Sequence, residues 1–235
     1  MKNMAISQIF PKYDIPCYLD KKTALSHHCI TLYITGVFDL LLSGFTHQNV
    51  FSYAKSPFSP LNREECDVLE NYCLSCKIYP YSWKKAFKYK PNVYNPENGV
   101  NKTITDDELS KINSCREKIY KPIEALNKTL SGCATGLEIS KAMLGFLEEN
   151  GIETKVDAFA NELESSGENL DAMQTKQVYN IIMDLLSELS FALGNKEMNL
   201  STYEKTLRAG FDAVEIGTIP ISADCVHVGS IDRIK

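Results

Sequence analysis

What limits the fold of this chain most is the place where its apolar period changes. In the closing stretch "GTIPISADCVHVGSIDRIK" the spacing of apolar residues drops from near 3.6 to two after Gly217. In an extended strand that puts Cys225, His227 and Gly229 on one side and Val226 and Val228 on the other. The only other strand-like stretch is at the opposite end, "YDIPCYL" from Tyr13 to Leu19. It is short and apolar, follows Pro11 and is split by Pro16, which suits an edge strand or the beginning of one. Everything between carries helical periodicity. Two extended ends around a helical body is the layout of a helical insertion inside an α/β domain. The expectation is a mostly α protein with a small α/β part, its two ends side by side in one sheet whose other strands this chain does not supply.

The helical body is punctuated clearly. From Ala24 to Ser43 the chain is almost continuously apolar and Gly44 follows, which predicts a buried helix with a glycine end. "THQNVFSYAKS" predicts a shorter helix stopping before Pro57. In "PLNREECDVLENYCLSCK", Asn62 caps a helix whose first turn holds Glu64 and Glu65, with Cys66, Leu69, Cys73 and Cys76 on one face. "NVYNPENGVN" reads as a loop. Thr105 caps "DDELSKINSCREKIYKPIEALNKTL", whose apolar line of Leu109, Ile112, Ile119, Ile123, Leu126 and Leu130 suits a long helix lying along another. Pro122 inside it predicts a kink. Thr135 and Glu138 form a T-x-x-E capping box for a helix carrying Leu137, Leu144 and Leu147. Val156, Phe159 and Leu163 mark a short helix ended by Gly167, and a long one follows through Leu170, Met173, Val178, Ile182 and Leu186 to Gly194. Ser201 and Glu204 suggest another capping box, leading a helix through Leu207 and Phe211.

Charge and cysteine content narrow the function. The net charge of −5 on 235 residues argues against a surface that binds nucleic acid everywhere, though not against a local basic patch. No apolar run is long enough for a transmembrane helix and the first residues carry no signal-peptide core, so a cytoplasmic protein without membrane contact is expected. The 8 cysteines are then expected as reduced thiols. Cys73-x-x-Cys76 with Cys66 nearby could start a metal site, but no second pair completes it, and buried structural thiols are favoured over ligands. The sequons at Asn101, Asn127 and Asn199 carry no weight in a protein that is not secreted.

Catalytic signatures are scarce. There is no G-x-x-x-x-G-K-[ST] loop to cradle ATP phosphates, and no cluster of carboxylates for metal-dependent phosphodiester cleavage. Asp106 to Glu108 and Glu148-Glu149 sit at a helix start and a helix end, where the dipole explains the first. His27-His28 stands at a helix start; neighbours there point about 100° apart, which favours a structural role over a metal or catalytic pair. His227 is read as a packing residue of the last strand. The strongest local signal is "KIYPYSWKKAFKYKP". Lys77, Lys84, Lys85, Lys88 and Lys90 occur with no acid between them, interleaved with Tyr79, Tyr81, Trp83, Phe87 and Tyr89. Cations neutralise phosphates and aromatic faces stack on unpaired bases, so this segment could hold single-stranded DNA. The plainer reading packs Trp83 and Phe87 inward and leaves the lysines in water. The two are compatible. Arg233, beside Asp232, is a further candidate phosphate contact, or half of a surface ion pair.

These stretches resemble one family. "IPCYLDKKTALSHHCI", "PLNREECDVLENYCL", the single Trp83, "REKIYKPIEAL", "GLEISKAMLGFLEENGI" and above all "LRAGFDAVEIGTIPISADCVHVGSIDR" are similar to segments of the B subunit of the AddAB-type (or RexAB-type) bacterial ATP-dependent helicase–nuclease, which processes DNA double-strand breaks. Ile221, Cys225 and Ser230 depart from the family's usual proline, amide and acid. The resemblance implies the second, RecA-like helicase domain with its helical insertion, its sheet incomplete. Residues 1–60 would begin that domain, 61–200 form the insertion and 201–235 return to it, cut short. An N-terminal domain with a phosphate-binding loop and a C-terminal iron–sulfur nuclease domain would lie outside the chain. It further implies ATP, magnesium and an iron–sulfur cluster for the full complex, with no cofactor and no activity for this chain alone. The implied partners are DNA, in single-stranded form, and an A-type motor subunit. The implied role is DNA handling and assembly without catalysis, at Lys84, Lys85, Lys88 and Arg233. The alternative is a helical module that binds a protein partner and no DNA.

Overall fold

The core is organised around helix α1 (Cys29–Ser43), which is apolar on nearly every side and buried along most of its length, with Leu32 and Leu42 left exposed. Ile30, Tyr33, Ile34, Val37, Phe38 and Leu40 are all buried. The computed structural model describes residues 9–13, 15–19, 22–95, 100–217 and 226–228. Arg233, Ile221, Cys225, Gly229 and Ser230 lie outside the described residues.

The helix at the start of the chain begins later than its apolar run suggests. Thr23–Ala24 form a short strand, β2, and a 3-10 turn over Leu25–His27 follows before α1 starts. Ala24 is extended and the Leu25 N–H donates to the Val214 carbonyl at 2.9 Å, so pairing with the far end of the chain captures these residues first. His28 then serves as the N-cap, its Nδ1 accepting from the Ile30 N–H at 3.3 Å. Gly44, at φ 79°, ends α1 where a side chain would be strained.

Helices α2 (His47–Ala54), α3 (Arg63–Cys76) and α4 (Asp106–Leu130) follow. The caps read from the sequence are present: Asn62 with Glu65, and Thr105 with Glu108, close reciprocal capping boxes. The 25 residues of α4 span about 37 Å, and the helix continues unbroken through Pro122. Its predicted apolar stripe, from Leu109 to Leu130, is buried throughout. Helices α5 (Gly136–Glu149), α6 (Ile152–Ser165) and α7 (Asn169–Leu193) pack on one another, and α8 (Leu200–Ala213) returns to α1. Buried side chains from α1 through α8 join in one hydrophobic cluster.

Three expectations need correction. The inward face of α5 is Ile139, Met143, Phe146 and Leu147, with Leu137 and Leu144 only half-buried, because α4, α6, α7 and α8 all press on it and choose a different line. Ser201 is not a cap: Asn199 is, accepting from the Thr202 N–H at 2.8 Å, and Glu204 instead pairs with Arg208 one turn on. "NVYNPENGVN" is a hairpin flank rather than a plain loop, with β3 (Asn92–Asn95) antiparallel to β4 (Val100–Thr103). The two strands lack the apolar alternation that would announce them.

The two chain ends do meet. β1 (Cys17–Leu19) runs parallel to β6 (Val226–Val228), and β2 runs antiparallel to β5 (Glu215–Ile216). They form separate two-stranded ladders, not the one sheet expected, because among the described residues no strand bridges them. Lys22 closes the second ladder with an ion pair to Glu215 at 2.7 Å.

Candidate nucleic-acid interface

The basic and aromatic segment from Lys77 to Lys90 follows directly from the end of α3. Lys77 adopts a left-handed conformation, φ 47°, as the C-cap and turns the chain out of the helix. A 3-10 turn, Pro80–Lys84, opens with proline at a position whose missing N–H costs nothing. The rest runs extended along α4.

Its aromatic residues divide by face. Trp83, 2% exposed, and Phe87, 5% exposed, point inward. Trp83 stacks on Phe45 at 5.8 Å and meets Phe87 edge-on at 5.6 Å, while Phe87 stacks on Tyr72 at 5.3 Å. Tyr79, Tyr81 and Tyr89 face outward, and Tyr79 and Tyr81 lie parallel with ring centres 5.7 Å apart. The inward packing of Trp83 and Phe87 that the sequence favoured is therefore present, and the outward tyrosines coexist with it.

The extended part is fixed by side chains of α4. Asn113 brackets the backbone of Phe87: its Oδ1 accepts from the Phe87 N–H at 2.7 Å and its Nδ2 donates to the Phe87 carbonyl at 3.0 Å. Three residues on, the buried Arg116 donates to the Trp83 carbonyl at 2.6 Å, and its guanidinium sits 5.9 Å from the ring centres of both Phe87 and Tyr120. Tyr72 donates to the Tyr89 carbonyl at 2.8 Å, and burial raises the pKa of its phenol, which keeps it a donor. Neither Asn113 nor Arg116 was picked out from the sequence. Their signal was two polar residues, three apart, beside the apolar stripe of a helix.

Lys84, Lys85 and Lys88 project into solvent. Among the described residues none of the three has a carboxylate within ion-pair distance, whereas Lys55, Lys90, Lys118, Lys121, Lys176 and Arg208 each hold one. The chain is acidic overall, so this is a local excess of positive charge, carried on an anchored backbone and flanked by exposed aromatic rings. Lys90, counted with the other lysines from the sequence, is instead paired with Asp106 at 2.6 Å.

The same segment borders a cleft of about 280 Å³ between the end of α1, the 3-10 turn and α4. Leu40, Phe45 and Ile123 give it an apolar lining, and Lys84, Glu124 and Asn127 supply polar groups.

The described cysteines are not gathered as ligands would be. Cys66, Cys73 and Cys115 are buried, and among the described residues no group of three or more metal-binding side chains gathers. Burial raises the pKa of all three thiols and of Cys76, with Cys73 pushed up to about 12. An iron–sulfur cluster needs several thiolates gathered round it, and among the described residues no such group forms, so this donor set does not fit one. His28 is likewise occupied as a helix cap. No helix among the described residues is long and apolar enough to cross a membrane.

No family model matches the chain. Curated relatives do. The B subunit of an ATP-dependent helicase/deoxyribonuclease of Clostridium botulinum (strain Loch Maree / Type A3) is 34% identical over 233 residues, covering 98% of this chain and 20% of the relative. Proteins of the same name from Caldanaerobacter subterraneus subsp. tengcongensis and Thermoanaerobacter sp. (strain X514) are 30% and 31% identical with the same coverage. The resemblance read from the sequence is borne out, and the chain spans about a fifth of the length of the curated relatives it matches.

Proposed function

We propose that this chain, similar over nearly its whole length to one fifth of the B subunit of an ATP-dependent helicase/deoxyribonuclease, is a non-catalytic DNA-handling and assembly segment of such a protein. It would act in double-strand break processing and recombination, beside an A-type motor subunit. The observation that carries the DNA-handling role is the anchored strip in which Lys84, Lys85 and Lys88 stand unpaired among the described residues, next to the exposed Tyr79, Tyr81 and Tyr89. Ammonium groups neutralise phosphates and rings accept unpaired bases, which is the chemistry of single-strand binding without sequence preference. Arg233 is proposed as a second phosphate contact from the chain's far end. ATP, magnesium and the iron–sulfur cluster belong, in this reading, to other parts of the complete complex. Residues 61–200 would be the helical insertion between two portions of a helicase-like domain, 1–60 and 201–235.

Fluorescence anisotropy with a labelled oligothymidylate tests the strip. Each phosphate neutralised on a single strand contributes a salt slope of about −0.7, so three lysines give about −2 in log K against log salt. Lys85→Glu/Lys88→Glu is expected to weaken binding tenfold or more at low salt and to flatten that slope. A chain that binds no oligonucleotide even at low salt would instead be a helical protein-interaction module.

A further inference from the structure

The geometry points to a nucleobase pocket in the cleft beside this strip, one that takes a single unpaired base with an exocyclic amine (cytosine, adenine or guanine, as against thymine) from the bound strand. The inference rests on the proposed single-strand binding and adds what is read there.

The size suits one base. A cleft of about 280 Å³ is just below the roughly 300–1,000 Å³ typical of drug-sized ligands, so it admits one planar ring system and leaves the sugar and phosphate outside. Its position places the phosphate where it can be held: Pro80 and Lys84 belong both to the cleft wall and to the basic strip. The walls are aromatic and fixed. Phe45 and Tyr120 line the cleft with ring centres 5.3 Å apart. Phe45 is backed by the buried Trp83, and Tyr120 by the Arg116 guanidinium. Such walls favour a heteroaromatic ring over a flexible apolar chain.

The polar groups set the preference. Tyr120 Oη donates to Glu124 Oε1 at 3.0 Å, which aims the carboxylate, and Lys128 Nζ stands 3.9 Å from the same oxygen. Glu124 Oε2 has no hydrogen-bond partner among the described residues. A carboxylate only accepts, so its complement is a donor such as the exocyclic amine of cytosine, adenine or guanine. Lys84 donates and the Asn127 amide does both, which suits the ring nitrogen or carbonyl acceptors next to that amine. Thymine has no exocyclic amine and offers the carboxylate a single N3–H flanked by two carbonyl oxygens, which is the poorer complement.

The test uses the 235-residue chain and thymidine oligomers carrying one central deoxycytidine, thymidine or abasic site. Affinity is read by anisotropy, and cleft occupancy by the emission of Trp83, the one tryptophan in the sequence and in contact with Phe45. The deoxycytidine oligomer is expected to bind about fivefold or more tighter than the abasic one and to alter Trp83 emission, as one base-edge contact warrants. Glu124→Gln should narrow the gap between deoxycytidine and thymidine, since an amide donates as well as accepts. Asn127→Phe, at an exposed position on the rim, should fill the cleft and remove the dependence on the base. Equal affinity for all three oligomers, with binding still weakened by Lys85→Glu/Lys88→Glu, overturns the pocket and leaves the strip. No binding to any oligomer overturns both.

Discussion

Asn113→Ala is the most informative single change, because it removes one anchor of the strip while leaving every lysine in place. Asn113 satisfies both the N–H and the carbonyl of Phe87, a residue 5% exposed, at 2.7 and 3.0 Å. The bracket does for Phe87 what a neighbouring strand would do. Each backbone group left unpaired in a buried site costs about 1–3 kcal/mol. Some of that is recovered as the extended segment shifts and admits water, so the expected loss is about 2–4 kcal/mol. With a urea m-value of about 3 kcal/mol/M, the midpoint should fall by about 1 M. Trp83, which meets Phe87 at 5.6 Å, reports the transition through its emission. Asn113→Asp keeps the acceptor for the Phe87 N–H and loses the donor to its carbonyl, so it should fall between the wild type and Asn113→Ala. Oligonucleotide affinity should drop with stability, although every lysine remains. A midpoint shift below about 0.2 M would refute the reasoning, since the segment would then be held by Arg116, Tyr72 and ring packing without need of the Asn113 bracket.

Three further changes probe the scaffold. His28 caps α1 through Nδ1 and burial lowers its pKa below the usual 6.5, opposed in part by Asp171, so the folded form is neutral while the unfolded chain takes up a proton as the pH falls through 6.5. Its contribution is complete above that value and is lost as the pH drops through it toward the folded-state value; melting temperatures between pH 7.5 and 5.5 should show the slope, and His28→Asn, which keeps a cap, should remove it. A Cβ on Gly136 would lie 2.6 Å from the Leu193 Cβ, so Gly136→Ala should cost about 1–3 kcal/mol in denaturant unfolding by forcing α5 and α7 apart. Tyr203→Phe leaves the buried Ser140 hydroxyl without its 2.8 Å partner and should cost about 1–2 kcal/mol in the same assay.

The sequence announced what local chemistry decides and concealed what tertiary contact decides. Asn62, Thr105 and Thr135 were each legible as caps, and each closes a capping box with the acid three residues on, although only the box at Thr135 was read as one. The same spacing misleads at Ser201, because Asn199 two residues earlier is the better cap and starts the helix first. The pairing of the two ends was legible from the change of period after Gly217, but its division into two ladders was not, and among the described residues no strand joins them. Helix α1 starts late because Leu25 is drawn to Val214, a partner 189 positions away that no local pattern encodes. In the strip, the alternation of lysine with aromatic residues marked the site, and Trp83 and Phe87 fell inward as their i, i+4 spacing suggested. Asn113 and Arg116 escaped notice because a polar residue at the edge of a buried face reads as solvent-exposed until the segment it holds is seen.

Location is the sharpest test of the account. A single-stranded oligonucleotide carrying 5-iododeoxyuridine, photo-crosslinked to the 235-residue chain and mapped by peptide mass spectrometry, reports which side chains touch the bases. Adducts on Tyr79, Tyr81 or Tyr89 are predicted, and they should disappear in Lys85→Glu/Lys88→Glu. Adducts confined to other parts of the chain would contradict the account directly.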